Sequence, residues 1–273
     1  MDYREIIKSA LQSLRSNILR TALTMLGIII GIASVILIYS IGQGAVKFVT
    51  DELSSFGTDY FQINPGTSQV STFAGSKALT MDDVEAIASD PTLTNIKAVV
   101  PFAMASVVVE ANDEEKELLT YGVTHEFVDI LRPEVLFGES ISEEQVIASE
   151  RVVVLGSDAA ETFFGVDANP VGETVHISNR TFKVTGVVKS SSVLAGGFIN
   201  NAIFVPFDVV TKQILGEERL QEIDISVYDQ NSINQTIDDV EALLRARHNL
   251  DEGDENDFRI ASAGDILDTV QTV

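Results

Sequence analysis

Twenty-six consecutive residues, Thr21 to Val46, carry no charge, and within them Leu23–Ile41 is strongly apolar and free of proline. A bilayer core needs about 20 apolar residues in a helix. A soluble core helix of this length would carry a polar stripe, and here only scattered Thr, Ser and Gly interrupt the run. A cleaved secretion signal fits less well. Its apolar region is about 7–15 residues long, and the one small-x-small triplet available, Ser40-Ile41-Gly42, is a poor cleavage site. The run therefore reads as a retained transmembrane helix over residues 21–46. Gly27, Gly31 and Ser34 fall on one side at helical spacing, a small-residue face suited to close helix packing; glycine being common in membrane helices is the plainer reading.

Charge sets the orientation. Residues 1–47 hold five basic residues (Arg4, Lys8, Arg15, Arg20, Lys47) and two acidic ones, whereas residues 48–273 hold 13 basic and 39 acidic, a net of −26. By the positive-inside rule, Arg4, Lys8, Arg15 and Arg20 keep the N-terminus in the cytoplasm and put residues from about 48 onward outside. The acidity of that outer part argues against nucleic acid as a partner. Ile6, Ile7, Ala10, Leu11, Leu14 and Ile18 recur at three- and four-residue steps, so residues 1–20 are expected as an amphipathic helix on the inner surface, or else as a plain extension of the span. The chain has no cysteine, which excludes disulfides and thiol chemistry.

The outer part alternates strand and helix patterns. "GAVKFVTDELSSFG" continues the helix outward to Gly57, "DYFQINPG" is a strand ending in a turn, and Thr67–Ala78 is small and polar. Thr80 caps "MDDVEAIASD". "IKAVVPFAMASVVVEA" is a strand interrupted at Pro101, and "NDEE" turns it into "KELLTYGV". After a looser stretch come the strand "RVVVLG", a helix capped by Ser157, and a hairpin "ETVHIS"/"TFKVTGVV" turning at Asn179-Arg180. "KSSSVLAGGFINN" is a Gly/Ser loop presenting Leu194, Phe198 and Ile199, either as an exposed contact loop or tucked into the fold. Asp208 caps "VVTKQIL", "EIDISVYD" alternates strictly, and residues 231–248 form an amphipathic helix with Ile233, Ile237, Val240, Leu243 and Leu244 on one side. "FRIAS" is the last strand, and residues 261–273 begin another helix. The fold class is α+β: one transmembrane helix, then a mixed domain over 47–260 that divides into a split part (about 59–123 and 223–260) and a β-rich insert (about 125–215).

No chemistry declares itself. His125, His176 and His248 are far apart and read as ordinary surface or hairpin residues. The acidic loop Asp251–Asp257 lacks calcium-loop spacing. Asn179 and Asn234 fall in glycosylation-type triplets, relevant only in hosts that use them. No nucleophile elbow, zinc-protease or phosphate-loop motif is present, so no catalytic, cofactor-binding or metal-binding residue is expected and the chain is not expected to be an enzyme.

"SLRSNILRTALTMLGIIIGIASVILIYSIGQGA", followed by "ELSSFGTDYFQINPG", resembles the N-terminus of MacB/FtsX-type ABC transporter permeases. "RVVVLGSDAAETFFG", "NPVGETVHISNRTFKVTGVV", "NNAIFVPFDVV" and "DFRIASAGDIL" follow in the order of that family's extracytoplasmic domain, so the resemblance covers nearly the whole chain. It implies a porter-like split part, a homodimer or heterodimer with a second permease copy, an ABC ATPase subunit that binds ATP and Mg, and an extracytoplasmic adaptor protein as a further partner. It implies mechanotransmission: ATP-driven closure moves the membrane helices and the outer domain changes shape, in export or a related process. No Walker motif occurs here, so the ATPase is expected in a separate chain. Three further membrane helices are expected after the outer domain, so the chain reads as the N-terminal portion of a permease in the cytoplasmic membrane. The competing readings are a single-pass anchored binding or sensor domain and an anchored hydrolase; the absence of a nucleophile–base pattern weighs against the latter.

Overall fold

The computed structural model describes residues 3–7, 17–55, 59–66, 79–190, 192–216 and 220–262. Residues 3–7 are helical. Of the expected amphipathic stretch, Ile18–Arg20 open the long apolar helix and residues 8–16, with Lys8 and Arg15, lie outside the described residues, as do Thr67–Ala78. Of the helix expected over 261–273, Ala261 and Ser262 instead end the last strand, and residues 263–273 lie outside the described residues. Helix α1 spans Ile18–Ser55 without a break. Its apolar segment Ile18–Phe48, with a mean hydropathy of 2.5, is long enough to cross a membrane. At 1.5 Å per residue that segment measures about 46 Å, against a hydrocarbon core of about 30 Å. Among the described residues, none of its hydrophobic window is buried. Ser34 satisfies its hydroxyl by donating to the Ile30 carbonyl at 2.8 Å. The chain divides after Asp51 into this helical unit and a second unit holding the sheet.

In the second unit β1 (Tyr60–Pro65), β2 (Ile96–Ala111), β9 (Glu222–Val227) and β10 (Phe258–Ser262) pair in the order β10-β1-β9-β2, all antiparallel. β2 then changes partner. Its first half pairs β9, and from Ala103 onward it pairs β3 (Glu114–Val123). β3 runs parallel to β8 (Ile203–Pro206), β8 antiparallel to β5 (Val152–Gly156), and β5 parallel to β7 (Arg180–Lys189). β4 (Glu134–Gly138) lies on the far edge of β7, and β6 (Thr174–Ile177) pairs both β7 and β2. The pairings β2-β3-β8-β5-β7-β6-β2 therefore close into a ring, which leaves few edges for unwanted pairing. The fold class is the expected α+β, an apolar N-terminal helix followed by a sheet-rich domain.

Helix α2 (Met81–Ser89) and helix α7 (Ile233–His248) turn Val84, Ile87, Val240 and Leu244 into one core with Phe61, Ile63, Ile223 and Ile225 of the sheet, and this core continues into the interior of the ring. Thr80 heads α2 as expected: its backbone N–H and its hydroxyl both donate to the Asp83 carboxylate, at 3.0 and 2.7 Å. Helix α5 (Ser157–Phe164) buries Ala159, Ala160 and Phe163 in that same core, whereas a second, smaller core lies on the opposite face with the short helices α3 (Phe127–Leu131), α4 (Glu143–Ile147) and α6 (Val193–Ile199). There Phe127, Ile130 and Ile199 meet Val100, Phe102 and Phe204.

Several sequence expectations are corrected. β2 runs through Pro101, which is paired with Ile223. Pairing to β3 begins only at Ala103, so at Pro101 one flank of the strand has no ladder to interrupt. The second hairpin turns at Ser178-Asn179, both at positive φ, and Arg180 opens β7. "VLAGGFI" is helix α6 rather than a loop. Ser157 is the first residue of α5, and Gly156 occupies the cap position. Asp208 precedes a π-helix, Val209–Leu215, and its carboxylate accepts from Lys212 at 3.0 Å instead of capping.

Candidate functional site

β9 reads "EIDISV", and alternation places Glu222, Asp224 and Ser226 on one side and Ile223, Ile225 and Val227 on the other. The apolar side faces α2 and α7. A two-faced antiparallel strand would put the polar side in water. Instead Asp224 is 2% exposed and Ser226 is fully buried. The cover is non-local: α3 and α6 lie over this face, with Leu131, Phe198 and Ile199 closing a pocket of about 300 Å3.

The pocket floor is built by register. Gln62 stands opposite Asp224, and Tyr60 opposite Ser226. On the other flank Phe102 pairs Glu222 and Val100 pairs Asp224. Met104 pairs Tyr121 across β2 and β3, and Tyr121 pairs Phe204 across β3 and β8. An aromatic wall results. Phe102 meets Tyr121 edge-on at 6.3 Å, Tyr121 stacks on Phe204 at 5.6 Å, and Phe204 stacks on Phe127 at 5.2 Å. Such pairs contribute about 0.5–1.5 kcal/mol each beyond area burial.

Acids dominate the electrostatics. Gln62 donates its amide to Glu222. Burial pushes the Asp224 carboxyl well above its ordinary range; the Glu222 charge and a hydrogen bond to Glu222 add to this, and Gln62 opposes it. Burial also pushes the Tyr60 hydroxyl up to about 12, helped by Asp224 and then Glu222, and raises Tyr121, helped by Glu222. Asp224 Oδ1 and Ser226 Oγ are buried with no hydrogen-bond partner among the described residues. An orphan buried polar atom costs about 1–3 kcal/mol, so this strand holds uncompensated polarity beside an apolar pocket. Arg132, in a left-handed conformation just after α3, is paired with Asp59 at the start of β1, and Lys97 with Asp129 of α3 at 2.7 Å. These ties hold α3 against the sheet.

α6 is held by a close approach. A Cβ on Gly156 would lie 2.2 Å from the Ile199 carbonyl oxygen. In its absence Asp158 and Ala159 donate their N–H groups to the Asn200 carbonyl at 2.9 and 3.1 Å, and the Asn200 side chain accepts from Ser190 N–H at 2.8 Å. Ile199 is thus buried while Phe198 is 68% exposed at the rim. The two expected alternatives for this segment divide between adjacent residues. The side chain of Leu194 lies outside the described residues.

A second titratable cluster sits between α2 and α7. His248 is buried, not on the surface as its sequence context suggested. Its Nδ1 is 2.7 Å from Asp257 and its Nε2 is 3.5 Å from Asp83, which also accepts from Arg247 at 2.8 Å. Burial pushes the Asp83 carboxyl up, but hydrogen bonds from Arg247 and Thr80 outweigh it and hold it below the usual carboxylate range. These contacts tie α2, α7 and the loop before β10 together. Among the described residues no group of three or more His, Asp and Glu could hold a metal ion.

Of the other expected residues, Gly27 and Gly31 face open space along α1, and Arg4 and Arg20 are exposed. The residues that build the pocket, Tyr60, Gln62, Glu222 and Asp224, are not among the expected ones. Their signal was an Asp in mid-strand, which β-structure disfavours, beside the alternating "YFQINP".

Residues 21–243 match the family model described as MacB-like periplasmic core domain. Over 271 residues the chain is 33% identical to the macrolide export ATP-binding/permease protein MacB of Azoarcus sp. (strain BH72), covering 98% of this chain and 40% of that protein. It is 30% identical over 267 residues to the protein of the same name from Wolinella succinogenes, covering 97% and 40%. The chain therefore spans about 40% of the length of the curated relatives it matches. In fold it is similar to the periplasmic region of MacB from Actinobacillus actinomycetemcomitans, with a TM-score of 0.69 and 22% identity over 82% of this chain and 98% of that one. It is also similar to the extracellular domain of the noncanonic ABC-type transporter YknZ from Gram-positive bacteria, with a TM-score of 0.59 and 18% identity over 74% and 100%.

Proposed function

This chain belongs to the family of the MacB-like periplasmic core domain, and from that premise we propose that it is the anchoring and extracytoplasmic portion of an ABC transporter permease that converts ATP hydrolysis into movement of the outer domain. ATP and Mg are bound by an ATPase outside these 273 residues. The N-terminus lies in the cytoplasm, the outer domain begins near residue 48, and the chain works beside a second permease copy and an extracytoplasmic adaptor. The outer domain divides into a porter-like part (about 59–123 and 223–260) and a β-rich insert (about 125–215). The chain itself hydrolyses nothing.

One observation carries this reading. The family match starts at residue 21, inside the apolar helix, and runs to residue 243 without separating helix from domain. Continuity supports it, because α1 extends beyond its apolar segment to Ser55 and β1 begins at Tyr60. A helix that stays hydrogen-bonded beyond its membrane segment transmits a shift better along that length than a flexible chain would. The second reading, a single-pass anchored binding domain, is favoured by the pocket beside Asp224. The two differ over Gly27 and Gly31. A moving bundle needs both against a neighbouring helix, where Leu is too bulky. In the complete transporter, Gly27→Leu with Gly31→Leu should leave membrane insertion intact and lower transport-coupled ATP turnover by about tenfold or more. Full turnover in the double variant would favour a passive anchor.

A further inference from the structure

The pocket closed by α3 and α6 is not needed for the transmission just described, and its chemistry is specific. Its walls are aromatic and aliphatic. Its polar groups are the Gln62 amide, two tyrosine hydroxyls and two carboxyl groups. Asp224, which lines the cavity, is almost wholly buried and its Oδ1 has no hydrogen-bond partner among the described residues. A ligand that completes this site must bring a hydrogen-bond donor. It must be mostly apolar to lie on Phe102, Tyr121 and Phe204. At about 300 Å3 the space is at the small end of ligand sites, so the ligand is small. An anion is disfavoured by Glu222 and Asp224. A divalent cation would find two carboxylates and no third His, Asp or Glu among the described residues.

We propose that this pocket binds a small hydrophobic amine, its ammonium donating to Asp224 and Glu222 and its apolar body lying against Tyr60, Phe102, Tyr121 and Phe204. The raised Asp224 carboxyl holds a proton when no ligand is bound; an arriving ammonium takes that proton's place between the two acids, and the proton is released to solvent. Aromatic faces add attraction for an ammonium group. Phe198, exposed at the rim above buried Ile199, is placed to cover the bound molecule. The proposal concerns the outer domain alone and does not rest on coupling to ATP; failure of either leaves the other standing.

The test uses the full chain in detergent and two probes of matched shape, naphthylethylamine and naphthylethanol, titrated by calorimetry. The amine should bind about tenfold tighter than the alcohol or better, a margin expected of a charge-assisted hydrogen bond. Asp224→Asn should abolish the amine's advantage over the alcohol. Methyl-labelled methionine supplies a readout that needs no variant. Met104 lines the pocket, whereas Met25 lies in α1 and Met81 packs in the main core. The amine should shift the Met104 methyl resonance and leave the Met25 and Met81 resonances in place. Equal affinity for the two probes, binding of neither, a preference that survives Asp224→Asn, or a shift at Met25 without one at Met104 would each overturn the proposal.

Discussion

Asp83 and Asp224 are both buried acids, and their environments drive them in opposite directions. Asp83 is held below the usual carboxylate range by Arg247 and Thr80. Its contribution to stability is therefore present above the unfolded value, about 3.9, and is lost as pH falls through the lower folded value. Asp83→Asn should cost about 3 kcal/mol at neutral pH, because it leaves Arg247 without its partner, and should cost less near pH 3; urea melts at the two pH values measure the difference. Asp224 is raised. The folded state holds its proton to higher pH than the unfolded chain does, so stability falls as pH rises from about 4 toward the raised value. Asp224→Asn should remove that loss and melt higher than the native chain at pH 8. A lower melting temperature for the variant at pH 8 would mean that the ionised carboxylate is stabilising after all. A residue that weakens the fold and yet leaves an oxygen unpartnered fits a role in binding better than one in folding.

Single-residue pattern carries over to the elements unevenly. In α7 the apolar side was legible, but its depth was not: Val240 and Leu244 are fully buried, whereas Leu243, Ile233 and Ile237 only pack against the edge of the core. Leu244→Asp should therefore cost at least about 3 kcal/mol and Leu243→Asp distinctly less, which denaturant midpoints of the two variants would resolve. The first hairpin was legible at "NDEE" because Asn112 and Asp113 tolerate the positive φ that a two-residue turn demands. β9 was legible as a strand by its alternation, and misleading about its polar face. Period 2 says which side chains share a face; it does not say whether elements distant in sequence, here α3 and α6, come to cover that face. Helix α6 was missed because two glycines and three serines outweigh a short apolar pattern locally. It is fixed by contact with the chain at Gly156 instead. Gly156→Ala should displace it and lower the melting temperature by several degrees, since the added methyl has only backbone atoms to push against.

For the whole molecule, the apolar helix was the clearest signal and the family resemblance followed it; helix and domain together match one family model. Orientation is testable in a chain that has no natural cysteine. Tyr3→Cys and Val166→Cys both place a thiol at an exposed position, at 83% and 75% exposure. On intact cells an impermeant maleimide should label the thiol at position 166 and not the one at position 3; the reverse pattern would invert the assignment. Coupling itself is tested most directly by distance. With a spin label at position 166 in each of two permease copies of the complete, ATPase-bearing transporter, pulsed electron resonance reads the separation of the outer domains. The account predicts distinct distance distributions with and without ATP and Mg, and a single unchanged distribution in the Gly27→Leu, Gly31→Leu variant. Identical distributions for the native transporter in both states, while it hydrolyses ATP, would contradict the claim that hydrolysis moves this domain.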